Sequence, residues 1–142
     1  MVATMNGAEL VDPDVDTAVT ILVVDDAPDM RMVARAFLER AGLEVVGEAG
    51  DGDEALALYW TLDPPPIPSV IILDNQMPGS SGIEIAEQIL SEVPSQIIVL
   101  FSAYLNADLV AQAKRVGVAG CVPKKDVRQL PGIIRDILSA RD

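Results

Sequence analysis

Apolar runs and amphipathic stretches alternate along the chain from about Val19 onward, the pattern of βα units wound around a parallel sheet. Three runs, Ile21-Leu22-Val23-Val24, Val70-Ile71-Ile72-Leu73 and Ile97-Ile98-Val99-Leu100-Phe101, are apolar at every position rather than at every second one. Continuous runs of this length suit strands covered by helices on both faces, and they read as the first, third and fourth strands. Leu43 to Val46 and Ala119 to Val122 carry weaker patterns. Their places in the alternation assign them as the second and fifth strands.

The intervening segments predict helices over about Asp29 to Ala41, Asp53 to Leu62, Ser81 to Glu92 and Ala107 to Val116, with a last one ending near Ser139. In the first, Met30, Val33, Ala34, Phe37, Leu38 and Ala41 recur at helical spacing and make a core-facing stripe, after which Gly42 permits a stop. Leu130-Pro131-Gly132 falls where the fifth helix should begin. Proline removes an amide donor, so that helix is expected to be short or to start at Pro131. The stretch Asp63-Pro64-Pro65-Pro66-Ile67-Pro68 excludes helix and central strand and reads as a stiff extended connector.

With 142 residues, 50% of them hydrophobic, the chain is expected to form one domain over residues 19–142 behind a flexible tail over residues 1–18. That tail carries Glu9, Asp12, Asp14 and Asp16 and has neither a basic start nor a long apolar run, so it is not expected to be a signal peptide. No apolar segment approaches membrane-spanning length, and no membrane partner is expected. The formal charge of -12 disfavours direct nucleic-acid binding, which depends on Lys and Arg displacing counterions. The chain has one cysteine, Cys121, and no histidine, which suits a reducing, cytoplasmic setting. Chemistry is thereby confined to carboxylates, hydroxyls, lysine and a hard metal.

In an open parallel sheet, functional groups collect beyond the carboxyl ends of the strands, above all where the strand order reverses. The first strand ends in Asp25-Asp26, the third in Asp74, the fourth in Ser102 and the fifth in Lys124. A doubly wound, flavodoxin-like order of 2-1-3-4-5 sets the first and third strands side by side and brings Asp25, Asp26 and Asp74 into one pocket. Three crowded carboxylates repel one another, and a divalent cation such as Mg²⁺ would relieve that repulsion while keeping coordination positions open.

Val23-Val24-Asp25-Asp26, Leu73-Asp74-Asn75-Gln76-Met77-Pro78-Gly79-Ser80-Ser81-Gly82, Phe101-Ser102-Ala103 and Gly120-Cys121-Val122-Pro123-Lys124 occur in order, each at a strand end. In this the chain resembles, from about Val19 to Ser139, the response regulator receiver domains of two-component systems. The resemblance implies a (βα)5 phosphorylation switch in signal transduction or a phosphorelay rather than an enzyme acting on small substrates. Asp74 would accept the phosphoryl group from a sensor histidine kinase or phosphotransfer protein. Asp26 and Asp74 would bind Mg²⁺ directly, Asp25 mostly through water, and the backbone carbonyl of Gln76 would complete the protein ligands. Ser102 and Lys124 would each contact a phosphoryl oxygen. Output is expected through a downstream protein partner or self-dimerisation at the face of helix four, strand five and helix five.

Each residue alone also has a structural explanation. Asp25 and Asp26 suit a helix N-terminus beside Pro28, and Asp74 suits a turn before Met77-Pro78-Gly79. Ser102 would then be a satisfied loop hydroxyl and Lys124 a surface lysine. Met77-Pro78 and Gly82 read as purely structural. Cys121 stands where receivers usually carry an aromatic, and is read as a small core-filling group. Lys125 replaces the proline that often follows the family lysine. Two other readings are a phosphorylation-independent scaffold and a Mg²⁺-dependent phosphatase with an aspartyl phosphate intermediate. The phosphatase chemistry places a second acid where Gln76 stands.

Overall fold

The computed structural model describes residues 19–61 and 68–141. The predicted tail, most of the proline connector and Leu62 lie outside the described residues. Five strands, β1 (Thr20–Val24), β2 (Glu44–Ala49), β3 (Val70–Leu73), β4 (Ile97–Ser102) and β5 (Gly120–Pro123), alternate with α1 (Pro28–Arg40), α2 (Gly52–Thr61), α3 (Gly82–Glu92), α4 (Ala107–Val116) and α5 (Leu130–Arg141). All pairings are parallel and the strand order is β2-β1-β3-β4-β5. No helix among the described residues is long and apolar enough to cross a membrane.

The continuous apolar runs are explained by what each face meets. Successive strand residues point to opposite sides of a sheet. Leu22, Val24, Ile71, Leu73, Ile98 and Leu100 pack in one cluster with Tyr59 of α2, Ile85 and Ile89 of α3 and Ala113 of α4. Ile21, Val23, Val70, Ile72, Ile97, Val99 and Phe101 pack in the other with Ala34 and Leu38 of α1 and Leu130 and Ile134 of α5. The sheet therefore lies between two cores, as the (βα)5 reading requires.

Local chemistry sets the helix starts. Pro28 opens α1, where an amide would have no partner inside the helix. Ser81 and Glu84 form a reciprocal capping box at α3, and the Asn106 side chain accepts from the Leu109 amide at 2.8 Å at α4. At the far end of α4, Gly117 takes φ 103°, a conformation that favours glycine, and closes the helix.

Four expectations need correction. Strand β2 runs to Ala49 rather than stopping at Val46. Gly47 lies within it because an added Cβ would come 2.8 Å from Leu58 of α2 and 3.2 Å from Leu22, so the glycine makes room for a packed helix. Strand β5 is displaced by one residue, to Gly120–Pro123. Val33 is exposed, leaving Ala34 and Leu38 as the buried residues of α1. Helix α5 is not short: it begins at Leu130 after a 3-10 segment over Lys124–Gln129 and runs for 12 residues. Pro131 is tolerated because it sits in the first turn, where the amides lack intrahelical partners.

At the amino end of the strands the Tyr59 hydroxyl donates to Gln96 Oε1 at 2.7 Å, and Gln96 Nε2 donates to the carbonyls of Pro68 at 2.9 Å and Ile97 at 3.1 Å. Gln96→Leu would leave the phenol and the Pro68 carbonyl buried without partners, and should lower the urea unfolding free energy by about 1–3 kcal/mol. Burial pushes the Tyr59 phenol above its ordinary pKa, so the folded state favours the neutral form. Its contribution is complete below the unfolded phenol's value of about 10 and is lost as pH rises through the folded value. Unfolding curves on the alkaline side should accordingly show a smaller pH-dependent loss for Tyr59→Phe than for the parent chain.

Candidate functional site

Strands β1 and β3 are paired through Val24 and Leu73, so the next residue of each, Asp25 and Asp74, emerges side by side at the carboxyl edge. Both are buried, at 1% and 3% relative exposure, whereas Asp26 is exposed. Carboxylate oxygens of the three lie within 4.8 Å of one another, and they are a group among the described residues able to hold a metal ion. Lys124, at the end of β5, reaches across the end of β4 and places Nζ 2.7 Å from Asp25 Oδ2 and 3.1 Å from Asp74 Oδ2.

Asp25 Oδ1 accepts from the Ala27 amide at 2.9 Å, and Asp74 Oδ1 accepts from the Gln76 amide at 3.2 Å. The Asp74 bond makes the turn that a purely structural reading foresees, and the Asp25 bond holds Ala27, the residue before α1, rather than capping the helix itself; each occupies only one of the two oxygens. Lys124 hydrogen-bonds Asp74 Oδ2. The same ammonium pairs with Asp25 Oδ2 over a shorter distance, 2.7 Å, so one positive charge serves both buried carboxylates. One ammonium leaves the cluster of three carboxylates incompletely compensated, and an all-oxygen donor set of this kind suits a hard cation.

Burial pushes the Asp74 carboxyl above the usual range; Lys124 and the Gln76 amide pull it down and Asp25 pushes it up again. For Lys124, burial opposes the charge, but hydrogen bonding and attraction to Asp25 and Asp74 outweigh it and hold the ammonium above its ordinary value. With all groups ionised, the three carboxylates exceed the one ammonium by two negative charges. That excess matches a divalent cation.

Ser102 is buried at the end of β4, where it pairs with Pro123, the residue before Lys124. Its hydroxyl accepts from the Tyr104 amide at 3.3 Å, and the Tyr104 ring is exposed. The Gln76 side chain is also exposed. The structure brings Asp25, Asp26, Asp74 and Lys124 into direct proximity, with Ser102 as the last residue of β4 and Gln76 on the loop between β3 and α3.

The family described as the response regulator receiver domain matches residues 21–135. The chain belongs to this family. Chemotaxis protein CheY of Thermotoga maritima is 34% identical over 104 residues, which cover 73% of this chain and 83% of that protein. A protein-glutamate methylesterase/protein-glutamine glutaminase of Hahella chejuensis is 34% identical over 121 residues, 84% of this chain but 34% of that protein. The receiver therefore spans about a third of that relative's length. A two-component response regulator of the LuxR family from Aurantimonas sp. superposes with a TM-score of 0.79 at 31% identity, over 87% of each chain.

Cys121 is half-buried against the core cluster that includes Leu100, and burial pushes its thiol up, away from reactivity. The chain after Lys124 enters the 3-10 segment directly, with Lys125 inside it.

Two features escaped sequence reading. An added Cβ on Gly82 would stand 2.3 Å from the Asp74 carbonyl oxygen and 2.9 Å from Asn75 Cα, so the absence of a side chain lets α3 close against the loop that carries Asp74. The Asn75 side chain secures the same junction, accepting from the Ile83 amide at 3.1 Å. The motif marks Gly82 as structural without indicating that its neighbour is Asp74 itself.

Removing Lys124 would leave two buried carboxylates without their counter-charge. In metal-free buffer at neutral pH, Lys124→Met should lower the unfolding free energy by about 3–5 kcal/mol, the scale for breaking a buried pair. Equal stability of the two proteins in urea titrations would show that water already compensates the acids.

Proposed function

We propose that this receiver accepts a phosphoryl group on Asp74 from a phosphohistidine of a partner protein, with Mg²⁺ bound beside it, and changes its protein contacts in response. The observation that carries this reading is a buried Asp74 paired with Lys124 inside a cluster of three carboxylates that this one ammonium does not neutralise. The donor set fits a hard cation. Asp26 and Asp74 would hold it, with the Gln76 backbone carbonyl and with Asp25 acting mostly through water. Bound there, Mg²⁺ supplies neutralisation of the charge on the phosphoryl oxygens.

The residues of the chain perform the rest. An oxygen of Asp74 forms a bond to phosphorus as the phosphohistidine N–P bond breaks, leaving an acyl phosphate here and a free imidazole on the donor. The chain has no histidine, so the donor is a separate sensor histidine kinase or phosphotransfer protein. Lys124, already 3.1 Å from Asp74 Oδ2, offers fixed positive charge to the equatorial oxygens during transfer. The Ser102 hydroxyl turns its donation from the Tyr104 carbonyl to a phosphoryl oxygen.

The phosphoryl group adds about two negative charges, and that exchange draws the β4–α4 loop inward. The altered face of α4, β5 and α5 then meets a downstream protein or a second copy. Residues 19–142 act as the switching unit, in the cytoplasm, and with 22 acidic against 10 basic residues the chain does not itself bind nucleic acid. There is no turnover on small substrates beyond slow loss of the phosphoryl group.

Intact mass after incubation with acetyl phosphate tests the reading. The expected result is one phosphoryl adduct that requires Mg²⁺ and disappears in Asp74→Asn. Absence of an adduct, under conditions that modify a control receiver, would overturn the acceptor role and leave a phosphorylation-independent scaffold.

A further inference from the structure

Arg31 lies on the first turns of α1 and uses its guanidinium in two directions. Nη1 donates to the backbone carbonyl of Asp25 at 2.6 Å, and Nε donates to Glu48 Oε1 of β2 at 3.3 Å. The Asp25 amide donates to the Ala49 carbonyl at 3.0 Å, and Asp25 Oδ1 accepts from the Ala27 amide at 2.9 Å. Every polar group of Asp25 is therefore held, three by these hydrogen bonds and Oδ2 by the ion pair with Lys124. The carbonyl that Arg31 holds belongs to the peptide joining Asp25 to Asp26. Fixing that plane fixes the direction in which the exposed Asp26 leaves the chain.

We propose that Arg31, anchored on Glu48, is a positioning residue that aims Asp26 at the divalent cation by gripping the Asp25 carbonyl. This rests on the metal site proposed above. Outer partners of this kind set ligand direction, and their loss typically weakens metal binding about 10–100-fold. The sign of the effect separates positioning from simple charge. Taking a cation away from an acidic pocket strengthens attraction for Mg²⁺, so an electrostatic role alone predicts tighter binding after neutralisation. A positioning role predicts weaker binding. Arg35 provides the matched control, because it pairs with the same Glu48 carboxylate and with Glu39 and has no hydrogen bond to Asp25.

Calorimetric titration of the full chain with Mg²⁺ alone tests the proposal, with urea unfolding in EDTA to verify that each variant is folded. Arg31→Gln should bind Mg²⁺ about 10–100-fold more weakly. Arg35→Gln should bind as tightly as the parent or more tightly. Arg31→Lys, which keeps one donor for the Asp25 carbonyl, should fall between parent and Arg31→Gln, and carries the test alone if the glutamine variant does not fold. Parental or tighter binding by the Arg31 variants would overturn the positioning role. A parent chain that fails to bind Mg²⁺ would instead sink the metal site itself, and this inference with it.

Discussion

Two acidic side chains forced together by sheet topology dominate this molecule. Pairing of β1 with β3 fixes Asp25 beside Asp74, and the strands on either side leave neither room to retreat into solvent. Their repulsion is answered by one ammonium from a strand that is not adjacent. Lys124 comes from β5, with β4 between it and β3, so its long side chain must span the end of the intervening strand. Ser102 is buried at that crossing point. The order of the strands, rather than the local sequence, gives one lysine access to both acids.

The scaffold can hold this charge because its apolar cores lie on the two faces of the sheet and not at its edge. Residues of each strand alternate between the clusters, and both clusters are closed by helices. The opposite edge carries the network of Tyr59, Gln96 and the Pro68 carbonyl, in which each buried group has a partner. The polar groups at one end of the strands are thus satisfied, while the other end retains an excess of negative charge. This division sets a satisfied frame around a site whose charge is left open to a ligand.

Much of this was readable in the sequence, for physical reasons that also mark where reading stops. Strands buried on both faces are apolar throughout, so β1, β3 and β4 stand out, and residues directly after them are placed at one edge by topology alone. Edge strands have weaker patterns. Gly47 looks like a stop for β2, yet it accommodates Leu58, a contact made across elements. Val33 fits the spacing of the α1 stripe but lies at its margin. The clamp of Arg31 and Glu48 on Asp25 was hidden because charged residues on an amphipathic helix and an edge strand look like solvated positions. Only the folded chain brings the guanidinium to a backbone carbonyl. The resemblance supplied roles for Ser102 and Gln76 that their surroundings here do not by themselves declare.

The contact between Gly82 and the Asp74 carbonyl separates two notions of importance that are often merged. A map of which positions tolerate replacement would mark Gly82 as severely as Asp74, since any side chain must push against backbone rather than against a movable neighbour. Gly82 has no functional group to lose. Intolerance there records that the loop after β3 and the helix behind it share one van der Waals boundary, and a search for reactive residues by mutational sensitivity alone would count that boundary as chemistry.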